Sequence, residues 1–149
     1  MSDESATVMS TGVVSASEFA DRLVALFVKG GPMGVPRKTR DRQIMMKSAA
    51  LTLDRDREYS EFEINEALKG WLTVVAPKLE VDHVSLRRMM VDDRYLERDD
   101  YGAVYKIGTP REAALFAVEI DAIEVWKVID EARRGITERR AAARPREGA

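Results

Sequence analysis

Apolar residues along this chain recur at spacings that switch between helix and strand. Phe19, Leu23, Leu26 and Phe27 fall three and four apart behind Ser15-Ala16-Ser17-Glu18, a capping box. They predict an amphipathic helix over 15–30, ended by Gly30-Gly31-Pro32. A second helix is predicted after Pro36, running to about Leu53, with Ile44, Ser48 and Leu51 inward and Met45 and Met46 beside them. Glu58-Tyr59 reads as a very short strand. Ser60-Glu61-Phe62-Glu63 is a further capping box, opening a helix whose buried face is Ile64, Ala67, Leu68, Trp71 and Leu72 and whose break is Pro77. A fourth helix starts behind Asp82, a carboxylate suited to the N-cap. Tyr95 to Arg98 and Ala103 to Ile107 alternate as strands about Asp100-Tyr101-Gly102. Last, Leu115, Val118, Ala122, Ile123, Trp126, Ile129 and Ala132 predict one long helix running past Arg134. It is opened by Thr109-Pro110-Arg111-Glu112, with proline at the first helical position. The short alternation of Val118 to Ala122 yields to that longer period.

This order predicts a mainly α fold with a small β hairpin: a winged helix-turn-helix core over 34–108, with flanking amphipathic helices at both ends. Residues 1–14 and 139–149 are expected to be disordered, the second as a basic tail with Arg139, Arg140, Arg144 and Arg146. Such a core does not need two more amphipathic helices, so residues 15–30 and 109–136 are expected to form a homodimer.

Composition narrows the chemistry. Of 149 residues, 45% are hydrophobic, enough for a sizeable core. Charged residues make up 34%, yet the net is only −2, which argues against a wholly basic polyanion binder. Across 36–107 there are 14 Lys or Arg and 14 Asp or Glu, a net of zero. There is no cysteine, which excludes disulfides, thiolate metal sites and cysteine nucleophiles. His83 is the one histidine, and no partner at ligand spacing surrounds it. Nucleophile motifs, phosphate loops and cofactor fingerprints are absent, so no catalytic residue, metal or cofactor is expected and the protein is not read as an enzyme. The acidic start and the lack of any long apolar run predict a cytoplasmic protein without a membrane partner.

Candidate chemistry centres on the fourth helix. At about 100° per residue, Ser85, Arg88 and Asp92 share a polar arc, while Arg87 falls between apolar neighbours. Arg87 is therefore expected to brace the fold against Glu63 or Glu66 of the preceding helix, with Asn65 bonding between helices and Asp82 capping. Arg88, Ser85 and His83 are the residues for base edges. Arg98 and Lys106 of the hairpin, with Arg37, Lys38, Arg40 and Arg42, are those for phosphates. Arg37 to Lys47 holds five cations against Asp41, a local net of +4.

Three spaced motifs add to this. Tyr59-Ser60-Glu61-x-Glu63-Ile64-Asn65, Asp82-x-x-x-Leu86-Arg87-Arg88-x-x-Val91-Asp92, and Leu96-x-Arg98 with Gly102-x-x-Tyr105 resemble an uncharacterised bacterial domain family. Pro36-x-Lys38-x-Arg40-x-Arg42 looks like its upstream basic run, interrupted here by Asp41. The resemblance covers about residues 34 to 107. It implies a winged-helix-like domain, found alone or joined to helix-turn-helix transcriptional regulators. The expectation is a DNA-binding transcriptional regulator contacting double-stranded DNA. The alternative is a protein-interaction or small-molecule-sensing module that keeps the fold without touching DNA.

Overall fold

A computed structural model describes residues 12–143, mainly helical with three short strands in one antiparallel sheet. Helix α1 (Ala16–Leu23) is capped by Ser15, which accepts the Glu18 N–H, and it widens into a π turn at Val24–Val28. Next come α2 (Thr39–Leu51), β1 (Tyr59–Ser60), α3 (Glu61–Val74), α4 (His83–Asp92), β2 (Leu96–Arg98), β3 (Val104–Ile107) and, after two 3-10 turns, α5 (Val125–Ala143).

Helix α2 is central. Ile44, Met45, Met46, Ser48, Ala49 and Ala50 are all buried, and so are Asp41 and Gln43. A single inward edge is expected from the sequence, but α1, α4 and the C-terminal segments cover nearly every side, as for a helix with little amphipathic contrast. Its buried polar groups are all partnered. Asp41 accepts two hydrogen bonds from Arg22 at 3.0 Å each, and Ser48 accepts from the Trp71 indole at 3.0 Å. The Tyr95 hydroxyl donates to the Gln43 amide oxygen at 2.5 Å, and the Gln43 amide donates to Asp93 at 3.2 Å. Among the described residues, no buried side-chain polar atom lacks a partner.

The sheet runs β1-β3-β2. The hairpin gains a third strand because Tyr59 pairs with Tyr105 and Ser60 with Val104. Tyr59, Tyr105 and Leu96 turn inward. The loop between α3 and α4 is held by the segment before α2: the Met33 N–H donates to Lys78 at 3.1 Å and the Glu80 N–H to Met33 at 2.7 Å.

The C-terminal third departs from expectation. Residues 109–124 do not continue one helix; Ala113–Leu115 and Val118–Ala122 are separate 3-10 turns, and α5 begins at Val125. Backbone groups that a helix would have used are taken by tertiary partners. The Arg111 N–H donates to Asp93 at 3.0 Å, Val14 donates to Leu115 at 2.6 Å, and Ala117 donates to Val14 at 2.9 Å. Residues 109–122 thus form a strap over the core, anchored by buried Phe116 and Ile120. The same contacts correct the disordered start for residues 12–14: Val14 is fully buried. Arg139 and Arg140 are helical within α5 rather than in a disordered tail. Residues 1–11 and 144–149, with Arg144 and Arg146, lie outside the described residues.

The flanking helices bury their apolar faces within the chain. Phe19, Leu23 and Phe27 meet Val125 and Ile129 in the common core, and Arg133 donates to the final carbonyls of α3, Val74 at 2.6 Å and Val75 at 3.2 Å. No helix among the described residues is long and apolar enough to cross a membrane.

Candidate nucleic-acid interface

Helix α4 is fixed at both ends. At its start the Asp82 carboxylate accepts the Ser85 N–H at 2.8 Å and the Ser85 hydroxyl at 3.0 Å. The backbone N–H of Ser85 holds the Asp82 carboxyl below its usual range. At its end Arg111 closes over the last carbonyls, its Nε donating to Asp92 at 2.9 Å. Arg94 leaves the helix in the left-handed region at φ 63°. Gly108 packs so closely there that a Cβ would meet the Arg94 carbonyl oxygen at 2.5 Å.

Arg87 ties α4 to two other elements. Its Nη1 donates to the Asn65 side chain at 2.5 Å and lies 3.5 Å from the Glu61 carboxylate. Its guanidinium carbon sits 5.4 Å from the centre of the Tyr105 ring, and the side chain is only 12% exposed. The acid is neither Glu63 nor Glu66. Glu63 closes the capping box with Ser60 and takes Arg57, and Glu66 pairs with Lys69 at 3.4 Å. The reason is helical phase. Glu61 and Asn65 are four apart on one face of α3, whereas Glu63 and Glu66 are turned away from it. The Ser60 N–H, with Arg57 after it, holds the Glu63 carboxyl below its usual range.

With Arg87 withdrawn, Arg88 is exposed and has no ion pair among the described residues. Arg98 is also exposed and without an ion pair among the described residues. The register sets Arg98 opposite Tyr105, the residue under Arg87, so β2 carries Arg98 on the sheet face that meets α4. Lys106 alternates to the other face and pairs with Glu97 at 3.8 Å. A shallow groove there is lined by Glu58, Glu97 and Asp99 as well as Arg98 and Lys106. The register thus assigns Arg98 and Lys106 to opposite faces of the sheet, but both side chains border this one groove.

Other expected contacts divide similarly. The Ser85 hydroxyl is engaged by the cap, and His83 is half-buried at the first turn. Arg40 grips Glu18 through two hydrogen bonds of 2.6 and 2.7 Å and donates to the Gly12 carbonyl at 2.6 Å. It clamps α1 to α2 rather than standing free. Arg37 and Lys38 are exposed and Arg42 half-buried, none with an ion pair among the described residues. At the hairpin tip, Asp99 is no bare negative charge: its carboxylate accepts the Ala103 and Val104 N–H groups at 2.7 and 3.2 Å. Gly102 takes a positive φ of 68° to close the turn, and Tyr101 projects at 92% exposure. Tyr101 stands in the turn that Asp100-Tyr101-Gly102 predicts, whereas the capping role of Arg111 is not legible locally. Nothing in its spacing marks Arg111 as a cap, because the carbonyl it meets, that of Asp92, lies 19 residues away.

The model of a family described as an uncharacterized protein conserved in bacteria (DUF2087) matches residues 33–107. The chain belongs to this family. The matched span opens at Met33, which pins the α3–α4 loop, and closes at Ile107, the last residue of β3. The family region is thus α2, the sheet, α3 and α4, while α1, the strap and α5 lie outside it. No curated protein and no solved structure matches the chain. Among the described residues, no three His, Cys, Asp or Glu side chains gather where they could hold a metal ion.

Proposed function

We propose that this protein is a DNA-binding transcriptional regulator, in which the family region acts as a winged helix-turn-helix. In that reading α3 and α4 are the helix pair, α4 enters the major groove, and the turn over 99–103 is the wing. The element order α2, β1, α3, α4, β2, β3 with strand order β1-β3-β2 supports it. The observation that carries it is the division of labour in α4. Arg87 is spent on Asn65, Glu61 and Tyr105, which leaves Arg88 outward on a helix fixed at both ends. Arg98 supplies a second cation on the neighbouring strand.

The test is a titration of mixed genomic DNA fragments at low and moderate salt. Binding that weakens with salt and is lowered by Arg88→Ala is the expected result. Absence of binding at low salt would instead favour the protein-interaction reading.

A homodimer through residues 15–30 and 109–136 belongs to the same proposal, but its support is narrow. Most apolar side chains of these segments are covered within the chain, leaving Trp126 at 55% and Val118 at 79% exposure. Sedimentation at micromolar concentration decides it: a dimer that Trp126→Ala dissociates is expected, and a wild-type monomer removes it.

A further inference from the structure

A cleft of about 400 Å³ opens between α2, the end of β3 and the strap. A recess of about 220 Å³ adjoins it and shares Lys47, Arg55 and Asp121. The size suits a small organic ligand, for which pockets run from about 300 to 1,000 Å³. Its walls are mixed: Ala50, Ile107, Pro110, Ala113, Phe116 and Val118 give an apolar stretch, beside Tyr95, Glu97 and Thr109. At one end two cations converge on one acid. The Lys47 ammonium lies 2.8 Å from an Asp121 carboxylate oxygen, and the Arg55 guanidinium 3.5 Å from the same atom. Lys47 is only 14% exposed, and its nitrogen is 5.7 Å from the centre of the Phe116 ring.

We propose that this cleft binds a small apolar monocarboxylate. The ligand carboxylate takes the place of Asp121 between Lys47 and Arg55, and its hydrocarbon or aromatic body lies against Phe116. Several features select that class. Two cations share a single carboxylate, so that end of the cleft carries an excess positive charge. Glu97, also on the wall, is balanced by Lys106 at 3.8 Å. A bare inorganic anion would gain nothing from the apolar stretch, and a neutral ligand would leave the cations to Asp121. Asp121 sits on a 3-10 turn at 43% side-chain exposure, where it can turn to solvent when displaced. The inference does not depend on nucleic acid.

Benzoate serves as the probe, with benzamide as its uncharged isostere and inorganic phosphate as an anion without an apolar body. Each is titrated into ¹⁵N-labelled full-length protein. Benzoate is expected to shift the amides of Ala50, Gly108 and Val118 saturably, while the two controls do not. Asp121→Asn removes the competing carboxylate and should tighten benzoate binding about threefold or more. Arg55→Gln, at a side chain 64% exposed and clear of the core, should weaken it about fivefold or more. Should Asp121→Asn unfold, the Arg55 variant alone decides. No saturable shift, equal binding of benzamide or phosphate, an unchanged affinity in Arg55→Gln, or no gain in a folded Asp121→Asn would each overturn the proposal.

Discussion

Arg87 and Arg88 are adjacent in sequence, yet their substitution should have opposite consequences. Arg87→Ala removes a charged hydrogen bond to Asn65, the pairing with Glu61 and the cover over Tyr105, at a side chain that is largely buried. A loss of about 2 kcal/mol in unfolding free energy is expected, mostly from this part-buried charged bond. Arg87→Lys keeps the charge but lacks the planar fork that reaches Asn65 and Glu61 together, so it should recover only part of that stability. Arg88→Ala touches no partner among the described residues and should stay within about 0.5 kcal/mol of the parent. Urea unfolding of the three variants checks this. An Arg88→Ala loss as large as that of Arg87→Ala would mean that Arg88 is also structural. The Tyr95 hydroxyl gives a related contrast. Burial raises its pKa, so it stays a donor to Gln43 well into alkaline conditions.

The clamp between α1 and α2 links fold stability to pH. Glu18 faces Arg40 and Asp41 faces Arg22, so each helix offers one acid and one base to the other. The bond from Arg40 is the largest influence on Glu18 and holds its carboxyl below the ordinary value of 4.5. A depressed folded pKa contributes stability that is fully present above the unfolded value and is lost as pH falls through the folded value. Thermal melts from neutrality down through that acid window should therefore show falling stability. Glu18→Gln should start less stable at neutral pH and fall less steeply, and an identical slope would count against the clamp. Its first part was readable from the capping box at Ser15 and the apolar stripe behind it. The role of Arg40 was not, because its acid lies 22 residues away. The strap shows the same limit. Thr109-Pro110-Arg111-Glu112 carries a valid local start signal, but Arg111 caps α4 and Phe116 lies beside Val14, and these distant bonds win over propensity. Helix α4 could be read more fully, since its cap and its polar arc are both local. The identity of the acid facing Arg87 was missed, although the four-residue spacing of Glu61 and Asn65 held that information, and the Ser85 hydroxyl expected to face outward is used by the cap.

The charge of the molecule constrains how it can meet a polyanion. The family span is neutral by count, and many of its cations are already paired: Arg40 with Glu18, Arg57 with Glu63, Arg87 with Glu61, and Lys47 and Arg55 with Asp121. In the proposed DNA reading, attraction would come from the seven of its 14 cations without an ion pair among the described residues, of which Arg88 and Arg98 adjoin α4 and the hairpin. This makes the salt dependence diagnostic. Each phosphate neutralised steepens the logarithmic salt slope by about 0.9, so a small set of contacts predicts a shallow slope. Arg98→Ala should lower that slope by about one contact and weaken all sequences alike, as a phosphate contact does. Arg88→Ala should cost about 1–3 kcal/mol on the preferred sequence and far less on others, as a base contact does. Lys106→Ala, at a side chain already paired with Glu97, should change neither affinity nor slope. Fluorescence titrations of the three variants over a range of salt concentrations separate these outcomes. Were Lys106→Ala to weaken binding as much as Arg98→Ala, contact would have to extend into the shallow groove that both side chains border. A single docking of α4 in one groove would not explain that result.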